Sequence, residues 1–270
     1  YSLSSTSLTI PAGSREVTTT LQAISDNIDE AVEKVGVSIN SVSGGNGAKA
    51  EGNQIEVAIN DDDTAGFTIA ASGASTSVSE SGSSTDPISV VLKSKPTGKV
   101  AFLVEVSDST EVRVSSSTLL FDASNWNQAQ TVTVSGVDDP IRDELVKSEI
   151  AVAINKNSTN DTKYAALSNK SISVSTSDDE GNPIVSVATS ANSMDESGGQ
   201  AILTVKQDVV AVSGTTVTLS TSGTATLNSD YSLSSTSLTI PAGSREVTTT
   251  LQSISDKIDE AVEKVGVSIN

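Results

Sequence analysis

Forty residues of this chain occur twice, at 1–40 and again at 231–270. The two copies differ at only two positions, Ala23/Ser253 and Asn27/Lys257. Domains that drift independently do not keep turns and surface positions alike, so a near-identity at a fixed offset indicates a tandem repeat. The sequence therefore predicts one repeat period plus an overlap, with both ends of the chain lying inside a repeat.

Apolar and polar residues alternate along most of the chain, as they do in β-strands that bury one face. Clear runs of this alternation are Val35/Val37/Ile39, Ile55/Val57/Ile59, Val132/Val134, Ile150/Val152/Ile154 and Leu203/Val205. Segments rich in Ser, Gly, Asn and Asp separate the runs and indicate turns. Many short strands at this spacing predict an all-β chain of antiparallel β-sandwiches with a thin aliphatic core, because only 3% of the residues are aromatic.

One segment, DNIDEAVEKV at 26–35, has a different apolar spacing. Ile28, Ala31, Val32 and Val35 follow one another at helical intervals. An isolated helix of about ten residues is marginal in water. Because strands are predicted on both sides, the segment is interpreted as an acidic turn that leads into a strand.

Composition excludes several classes of protein. The net charge of −18 repels nucleic acid and anionic lipid and attracts cations. With no cysteine and no histidine, the chain lacks disulfides, thiol chemistry and the usual general base. No apolar stretch approaches the length of a membrane span. We therefore expect no enzyme activity, no nucleic-acid partner and no membrane insertion of this segment.

Acidic motifs recur in the same order within the repeat period. A Glu-Ser-Gly turn occurs at Glu80 and again at Glu196, and an acidic triplet follows a late strand at 61–63 and at 178–180. The spacing between the triplets suits one sandwich domain. The predicted domains are 1–64, 65–182 and 183–270.

These motifs carry a family resemblance. DESGG, SDYSLSSTSLTIPAG, SDNIDEAVEKV and a strand that runs into INDDD resemble the Calx-β domain. The middle unit, with VSESG, LLFDASNWNQAQTVTVSGVDD and a terminal DDE, looks like a divergent relative from long bacterial surface proteins of the adhesin type. The resemblance implies tandem immunoglobulin-like sandwiches arranged end to end. The first would lack its opening strands, the middle one would be complete, and the last would lack its closing strand.

The resemblance also implies that the acidic motifs bind Ca²⁺ at one pole of each sandwich, where carboxylates and carbonyls can supply six to eight oxygen ligands. In the last unit the implied ligands are Glu196, Asp230, Asp256 and Glu260, with Glu263 as a further possibility. In the first unit they are Asp26, Glu30, Glu33, Asp61, Asp62 and Asp63. In the middle unit they are Glu80, Asp138, Asp139, Asp143, Asp178 and Asp179. Asp108 and Glu111 compete for the position of Asp230, and a proline in DDPIRDE disturbs the spacing.

Each acidic motif taken alone is more typical of a solvated turn than of a metal site, since Asp, Ser and Gly are ordinary turn residues. Four or five carboxylates that converge on one pole would repel one another unless a cation lay among them. The repeated order of the motifs therefore favours a metal site.

The expected function is structural: a repeat segment of an extracellular calcium-binding fibre, stalk or filament at the cell surface, with calcium rigidifying the domain junctions. The expected partners are neighbouring repeats of the same protein, through head-to-tail or lateral self-assembly. The main alternative is an adhesive module that recognises surface glycans or a cell surface, and a weaker one is a calcium-sensing regulatory domain. Either the chain is a window of a longer polymer, or neighbouring chains complete its ends by strand donation.

Overall fold

The computed structural model describes residues 1–73 and 75–269, whose regular secondary structure is almost entirely β-strand. In chain order the strands are β1 (Ser2–Leu3), β2 (Leu21–Gln22), β3 (Glu33–Val37), β4 (Ile55–Ile59), β5 (Phe67–Ala71), β6 (Thr76–Ser79), β7 (Thr85–Leu92), β8 (Val100–Val106), β9 (Val112–Val114), β10 (Thr118–Phe121), β11 (Gln130–Gly136), β12 (Ile141–Arg142), β13 (Leu145–Ile154), β14 (Lys170–Ser177), β15 (Val185–Thr189), β16 (Gln200–Gln207), β17 (Val210–Ala211), β18 (Thr215–Gly223), β19 (Tyr231–Leu233), β20 (Ser237–Ile240), β21 (Glu246–Ser253) and β22 (Val265–Ile269). One short helix, α1, spans Thr162–Ala165. The all-β prediction is confirmed.

The middle unit is a sandwich of two sheets. One sheet has the strand order β10-β8-β13-β14-β6 and the other has the order β5-β7-β11-β9. Alternate residues of both sheets face inward because successive side chains on a strand point to opposite faces. Phe102 lies at the centre of this core, edge-on to Phe67 and Phe121, with ring centroids 4.8 and 5.8 Å apart. Around these rings pack aliphatic side chains such as Ile88, Val134, Ile150 and Val174.

Helix α1 closes one end of this sandwich and holds a lysine at its surface. The carboxylate of Asp161 caps the helix by accepting from the backbone N–H groups of Lys163 (2.9 Å) and Tyr164 (3.1 Å). Tyr164 is buried, and its hydroxyl donates to the carbonyl of Ser94 at 2.6 Å. The buried tyrosine thereby fixes the position of Lys163 beside it.

The last unit is a second, smaller sandwich. Its sheets have the strand orders β15-β16-β21-β19 and β20-β18-β22. The core between them is built from Leu203, Val205, Leu219, Ile240 and Leu251. A two-residue parallel ladder, β12 with β17, connects this unit to the middle one.

The first unit consists of two separate ladders, β1 with β2 and β3 with β4. Val35 is buried, whereas Leu8 and Ile10 are largely exposed. No helix forms at 26–35; residues 26–32 are irregular and β3 begins at Glu33. The interpretation of this segment as a turn that leads into a strand is confirmed.

Within 1–73 and 75–269, no helix has the length and apolar composition needed to cross a membrane.

Candidate metal centres

Carboxylates from four separate segments of the middle unit meet at one pole of its sandwich. Oxygens of Glu80, Glu111 and Asp143 lie within 4.8 Å of one another, and Glu80 forms a second such group with Asp178 and Glu180. Asp138, Asp179 and Glu180 form a third group. The segments follow β6, precede β9, flank β12 and follow β14. Strand ends of a sandwich cluster at its poles, so residues far apart in sequence become neighbours here.

A tight turn directs Glu80 into this cluster. The N–H of Gly82 donates to the carbonyl of Ser79 at 3.1 Å, and Gly82 has a φ of 67°, which glycine adopts readily. The equivalent glycine of the last unit, Gly198, also has a positive φ, 99°. The Glu-Ser-Gly motif therefore has a geometric reason: the glycine makes the turn, and the turn orients the glutamate.

Burial perturbs these carboxyl groups. Glu80 is only 1% exposed, and its burial, followed by the charges of Asp143 and Glu111, raises its pKa to about 7. Burial is likewise the main cause that raises the pKa of Glu111, Asp143 and Glu180. Removal from water disfavours the charged form of an acid, and neighbouring negative charges add to that effect.

Several of these buried oxygens also lack a partner. Among the described residues, nothing forms a hydrogen bond to Glu80 Oε2, Glu111 Oε2, Asp143 Oδ1 or Glu180 Oε2. A buried polar atom without a partner costs free energy, and a buried unpaired charge costs more. The donor set therefore fits a hard cation, which would supply the missing positive charge and accept all of these oxygens as ligands.

Within the described part of the chain, Arg142 is the basic side chain that forms an ion pair with this cluster. Arg142 forms an ion pair with Asp178, whose side chain is 1% exposed. Arg142 also lowers the pKa of Asp143, but burial and the charge of Asp139 outweigh that effect. A single guanidinium thus leaves most of the negative charge at this pole uncompensated.

The two residues that compete for the position of Asp230 have different surroundings in the structure. Glu111 joins Glu80 and Asp143, whereas Asp108 turns away and accepts from the backbone N–H and the hydroxyl of Thr110, at 2.9 and 2.5 Å. These bonds lower the pKa of Asp108. Glu180 was not among the predicted ligands. Its place as the third residue of an acidic triplet is the sequence signal that could have identified it.

The remaining predicted residues of the middle unit all lie at this pole. Glu80, Asp138, Asp143, Asp178 and Asp179 belong to the groups of close oxygens. Asp139 raises the pKa of Glu80, Glu111 and Asp143 by its charge.

The last unit brings its predicted residues together in a more open arrangement. Oxygens of Asp230, Glu260 and Glu263 lie within 4.8 Å of one another, and Glu196 Oε1 accepts from the backbone N–H of Asp256 at 3.1 Å. All five side chains line the same cleft. The pKa of Glu260 and that of Glu263 are raised, first by partial burial and then by the neighbouring carboxylates.

The first unit holds an acidic cluster as well. Oxygens of Asp61, Asp62 and Asp63 lie within 4.8 Å of one another, and Asp61 Oδ2 accepts from the backbone N–H of Glu30 at 2.9 Å. The charge of Asp26 is the main cause that raises the pKa of Glu30, and Glu33 and Asp61 add to it. All six predicted residues of this unit therefore face one region.

The same local turn occurs once in each cluster. In each turn an aspartate Oδ1 accepts from the backbone N–H of an isoleucine two residues later. The pairs are Asp26 with Ile28 (2.8 Å), Asp139 with Ile141 (2.8 Å) and Asp256 with Ile258 (2.7 Å). Pro140 is accommodated between the two partners of the middle turn, and the acidic residue four positions after the aspartate is kept in all three. The expectation that the proline disturbs this spacing is wrong, because an Asx turn makes no use of the N–H that proline lacks.

The residue after that isoleucine contacts the next unit in the first two cases. Asp29 forms an ion pair with Lys163 and accepts from the N–H of Ala65 at 2.7 Å, and Lys163 holds the pKa of Asp29 below its usual range. Arg142 accepts from the N–H of Val212 at 3.3 Å through its carbonyl, within the β12–β17 contact. Each of these acidic clusters therefore lies directly beside a junction between units.

A family model described as the Calx-beta domain matches residues 1–63 and 177–270. No match is found among curated proteins. Among solved structures, CBD12 from CALX1.2 is 17% identical, with 75% of this chain and 79% of that chain covered and a TM-score of 0.29. The calcium binding domain CBD12 of CALX1.1 is also 17% identical, with 72% and 76% covered and a TM-score of 0.28. Domains 1–6 of the surface layer protein SbsC are 15% identical, with 80% and 24% covered and a TM-score of 0.29. TM-scores this low do not identify a family for this chain. The match of the Calx-beta family model to residues 1–63 and 177–270 does.

Proposed function

This chain belongs to the Calx-beta domain family, and we propose that it is a calcium-binding structural repeat of an extracellular fibre, stalk or filament. Calcium would bind at the acidic pole of each sandwich and stiffen the contact with the next one. The observation that carries the proposal is the set of buried carboxylate oxygens without partners at Glu80, Glu111, Asp143 and Glu180.

Calcium suits this donor set better than magnesium does. Ca²⁺ accepts six to eight oxygens in flexible geometry, whereas Mg²⁺ keeps several waters and demands a near-ideal octahedron. Glu80, Glu111, Asp143, Asp178 and Glu180 would hold the ion in the middle unit. The bound ion would neutralise the pole and allow these side chains to remain charged while buried.

The position of the clusters supports a role in stiffness. Asp29 and Arg142, which contact the following units, each stand directly before an acidic residue of the cluster, Glu30 and Asp143. A cation that fixes Glu30 and Asp143 would also fix the backbone on which the contact residues lie. Without it, mutual repulsion of the carboxylates would loosen the same backbone.

The duplicated forty residues and the acidic composition support the extracellular setting that we propose. Duplication of whole units lengthens a fibre because each added unit can reuse the contacts that already join neighbouring units. Extracellular calcium-binding modules work at dissociation constants of about 10⁻⁴–10⁻³ M, which partly exposed sites such as that of the last unit can reach. Neighbouring repeats of the same protein would be the partners.

An adhesive module for surface glycans is the second candidate. Its most suitable stacking residue, Trp126, is partly buried and packs against the core of the middle unit. This favours a structural role for the tryptophan and leaves adhesion as the weaker proposal. A calcium-sensing regulatory role is the third candidate function.

Calorimetric titration of the full chain tests the calcium proposal. We expect Ca²⁺ to bind more tightly than Mg²⁺ and to raise the melting temperature of the middle unit. Glu80→Gln should weaken binding, whereas Glu105→Gln, an exposed residue of the same unit, should leave it unchanged. The proposal is abandoned if Ca²⁺ produces no heat of binding and a chelator leaves the melting temperature unchanged.

A further inference from the structure

Six of the seven lysines of the middle unit lie at one of its poles. They belong to two segments, one between β7 and β8 and one from the end of β13 to the start of β14, and are Lys93, Lys95, Lys99, Lys156, Lys163 and Lys170. The one acidic residue of these segments, Asp161, is buried and caps α1. The acidic cluster of the unit lies at the opposite ends of the same strands. The middle unit therefore has an acidic pole and a basic one, which we call the lysine pole.

The first unit contacts the lysine pole through its acidic loop, and we call this contact the first junction. The backbone N–H of Lys95 donates to the carbonyl of Asn27 at 2.6 Å. Lys163 donates to both the carbonyl and the carboxylate of Asp29. The other carboxylate oxygen of Asp29 accepts from the N–H of Ala65 at 2.7 Å. Since Asp29 is not one of the predicted metal ligands, these contacts require no bound cation.

The charges on the two sides of the first junction are complementary. Glu30, which follows Asp29, belongs to the acidic cluster of the first unit and is hydrogen-bonded to Asp61 through its N–H. Ammonium groups beside such a cluster reduce the repulsion among its carboxylates, as a metal ion would do. The lysine pole thus supplies at the first junction part of the positive charge that a cation would otherwise have to supply.

The contact between the middle and last units, the second junction, is built differently. The two-residue ladder of β12 and β17 connects the units beside a cleft of about 350 Å³. Within residues 1–73 and 75–269, no ion pair crosses this junction. The basic side chains at the facing end of the last unit are bound within that unit: Lys206 pairs with Glu246 at 3.3 Å, and Arg245 donates to the carbonyl of Asp208 at 2.5 Å. The last unit therefore presents no counterpart of the lysine pole here.

The acidic cluster of the middle unit flanks the strand that forms the second junction. Asp139 precedes β12 and Asp143 follows it. Arg142, within β12, is paired with Asp178 of the same cluster. Repulsion among these carboxylates therefore acts directly on the junction strand. A cation at this pole would remove the repulsion, and at this step the inference rests on the proposed binding of calcium.

We propose that the lysine pole holds the first unit against the middle unit without calcium, and that calcium controls bending at the second junction alone. The two ends of the middle unit then respond to different conditions. The first junction responds to ionic strength, because salt screens charges that are partly exposed. The second responds to calcium. At low calcium the chain would bend at the second junction and not at the first.

Spin-label distances measure bending at each junction separately. The chain has no cysteine, so label pairs are introduced as Ala58→Cys with Thr131→Cys for the first junction and as Thr131→Cys with Thr218→Cys for the second. All three positions are exposed and lie on strands. By double electron–electron resonance in chelator at low salt, we expect a narrow distance distribution across the first junction and a broad one across the second.

Calcium and salt should then act on different label pairs. Added Ca²⁺ should narrow the second distribution and leave the first unchanged. Raising the salt from about 0.1 M to about 1 M shortens the Debye length from about 10 Å to about 3 Å and should broaden the first distribution. A first distribution that is broad in chelator at low salt and narrows only with calcium overturns the role of the lysine pole.

A charge reversal at the lysine pole gives a matched comparison. Lys163→Glu should broaden the first distribution at low salt, because it removes the ion pair with Asp29 and adds a like charge in its place. Lys147→Glu is the control, since Lys147 is an exposed lysine of the same unit outside the lysine pole, and it should leave the first distribution unchanged. Equal broadening by both variants contradicts a specific role of the lysine pole.

Calorimetric titration of the same chains separates this inference from the proposed function. A chain that binds calcium while its second distribution stays broad refutes calcium control of the second junction and leaves the proposed binding intact. A chain that binds no calcium refutes the proposed function. In that case the response of the first junction to salt and to Lys163→Glu still decides whether the lysine pole holds the first unit.

Discussion

Two copies of one sequence take on different structures within this chain. Ile240 is fully buried and Tyr231 is 3% exposed, whereas their duplicates Ile10 and Tyr1 are 55% and 63% exposed. Residues 237–240 form strand β20, and residues 7–10 form no strand. The difference lies in the partners: in the last unit β18 pairs with β20, whereas among residues 1–73 and 75–269 no strand pairs with residues 7–10. The alternation of apolar and polar residues decides which face of a strand can be buried. Packing against a second sheet decides whether that face is buried.

The largest difference should appear on truncation of the duplicated isoleucine. Ile240→Ala removes a fully buried side chain and should lower the free energy of unfolding of the last unit by about 2–5 kcal/mol. Ile10→Ala, the same change in the exposed copy, should stay within about 0.5 kcal/mol. Urea unfolding of both variants measures the two losses. Equal losses would mean that residues 1–40 are packed in solution as residues 231–270 are.

The acidic cluster of the middle unit has no duplicate in this chain. It serves as the reference for the acidic clusters of the first and last units, which belong to the duplicated segments. The folded state raises the pKa of Glu80 from its ordinary 4.5 to about 7 and raises those of Glu111 and Asp143. The folded protein therefore holds these protons more tightly than the unfolded chain does. The corresponding stability is fully present below pH 4.5 and is lost as the pH rises towards 7.

In chelator, the melting temperature of the middle unit should accordingly fall between pH 5 and pH 7, and calcium should remove that fall. Differential scanning calorimetry over this range measures it. Glu80→Gln, which carries no charge at any pH, should flatten the metal-free profile, and Glu105→Gln should not. A metal-free melting temperature that rises with pH would contradict the burial of these carboxylates.

A third comparison concerns a threonine that makes the same hydrogen bonds in both copies. Thr249 Oγ1 accepts from the N–H of Ser235 and donates to its carbonyl, both at 3.1 Å, and Thr19 makes the equivalent bonds to Ser5 at 3.3 and 3.0 Å. Thr249 is 5% exposed. Thr249→Val should cost about 1 kcal/mol, because water cannot replace the lost bonds there. Thr19→Val should cost less than half of that, measured by the same urea unfolding.

The smallest effect is expected at the junction. Asp29→Asn removes the ion pair with Lys163, which is partly exposed, and should weaken the contact by roughly 0.5 kcal/mol. Asp259→Asn, the same change in the second copy, is the matched control and should have no effect on the isolated chain. Limited proteolysis between the first and middle units reports the loosening. An equal increase in cleavage for both variants would argue against a specific role of Asp29.

Local features of this chain could be predicted, because they depend on neighbouring residues. The turn of Asp26 recurs at Asp256, and the hydrogen bond from Ser4 N–H to the Thr20 carbonyl recurs from Ser234 to Thr250, whatever the burial of the copy. The acidic pole of each unit could also be predicted, because the acidic motifs recur in the same order along the chain.

Long-range features could not be predicted in the same way. Nothing near Glu111 distinguishes it from Asp108; the choice depends on which of them faces Glu80, 31 and 28 residues away along the chain. The exposure of residues 1–40 cannot be deduced from their own alternation; it follows only from the prediction that the first unit lacks its opening strands. The metal ligands therefore remain predictions, to be tested by the experiments above, and so do the domain boundaries near 64 and 182.

The parallel pairing of β6 with β14 has a mechanical consequence. The chain enters the middle unit through β5, continues into β6 and leaves the unit after β14. The four residue pairs from Thr76↔Val174 to Ser79↔Ser177 join β6 and β14 side by side. A pulling force along the chain would draw the two strands in opposite directions, so their hydrogen bonds would be loaded in shear and would have to break together. Antiparallel strands pulled from the same end unzip one bond at a time. The middle unit is therefore expected to resist stretching along the chain, which is a property that a load-bearing fibre requires.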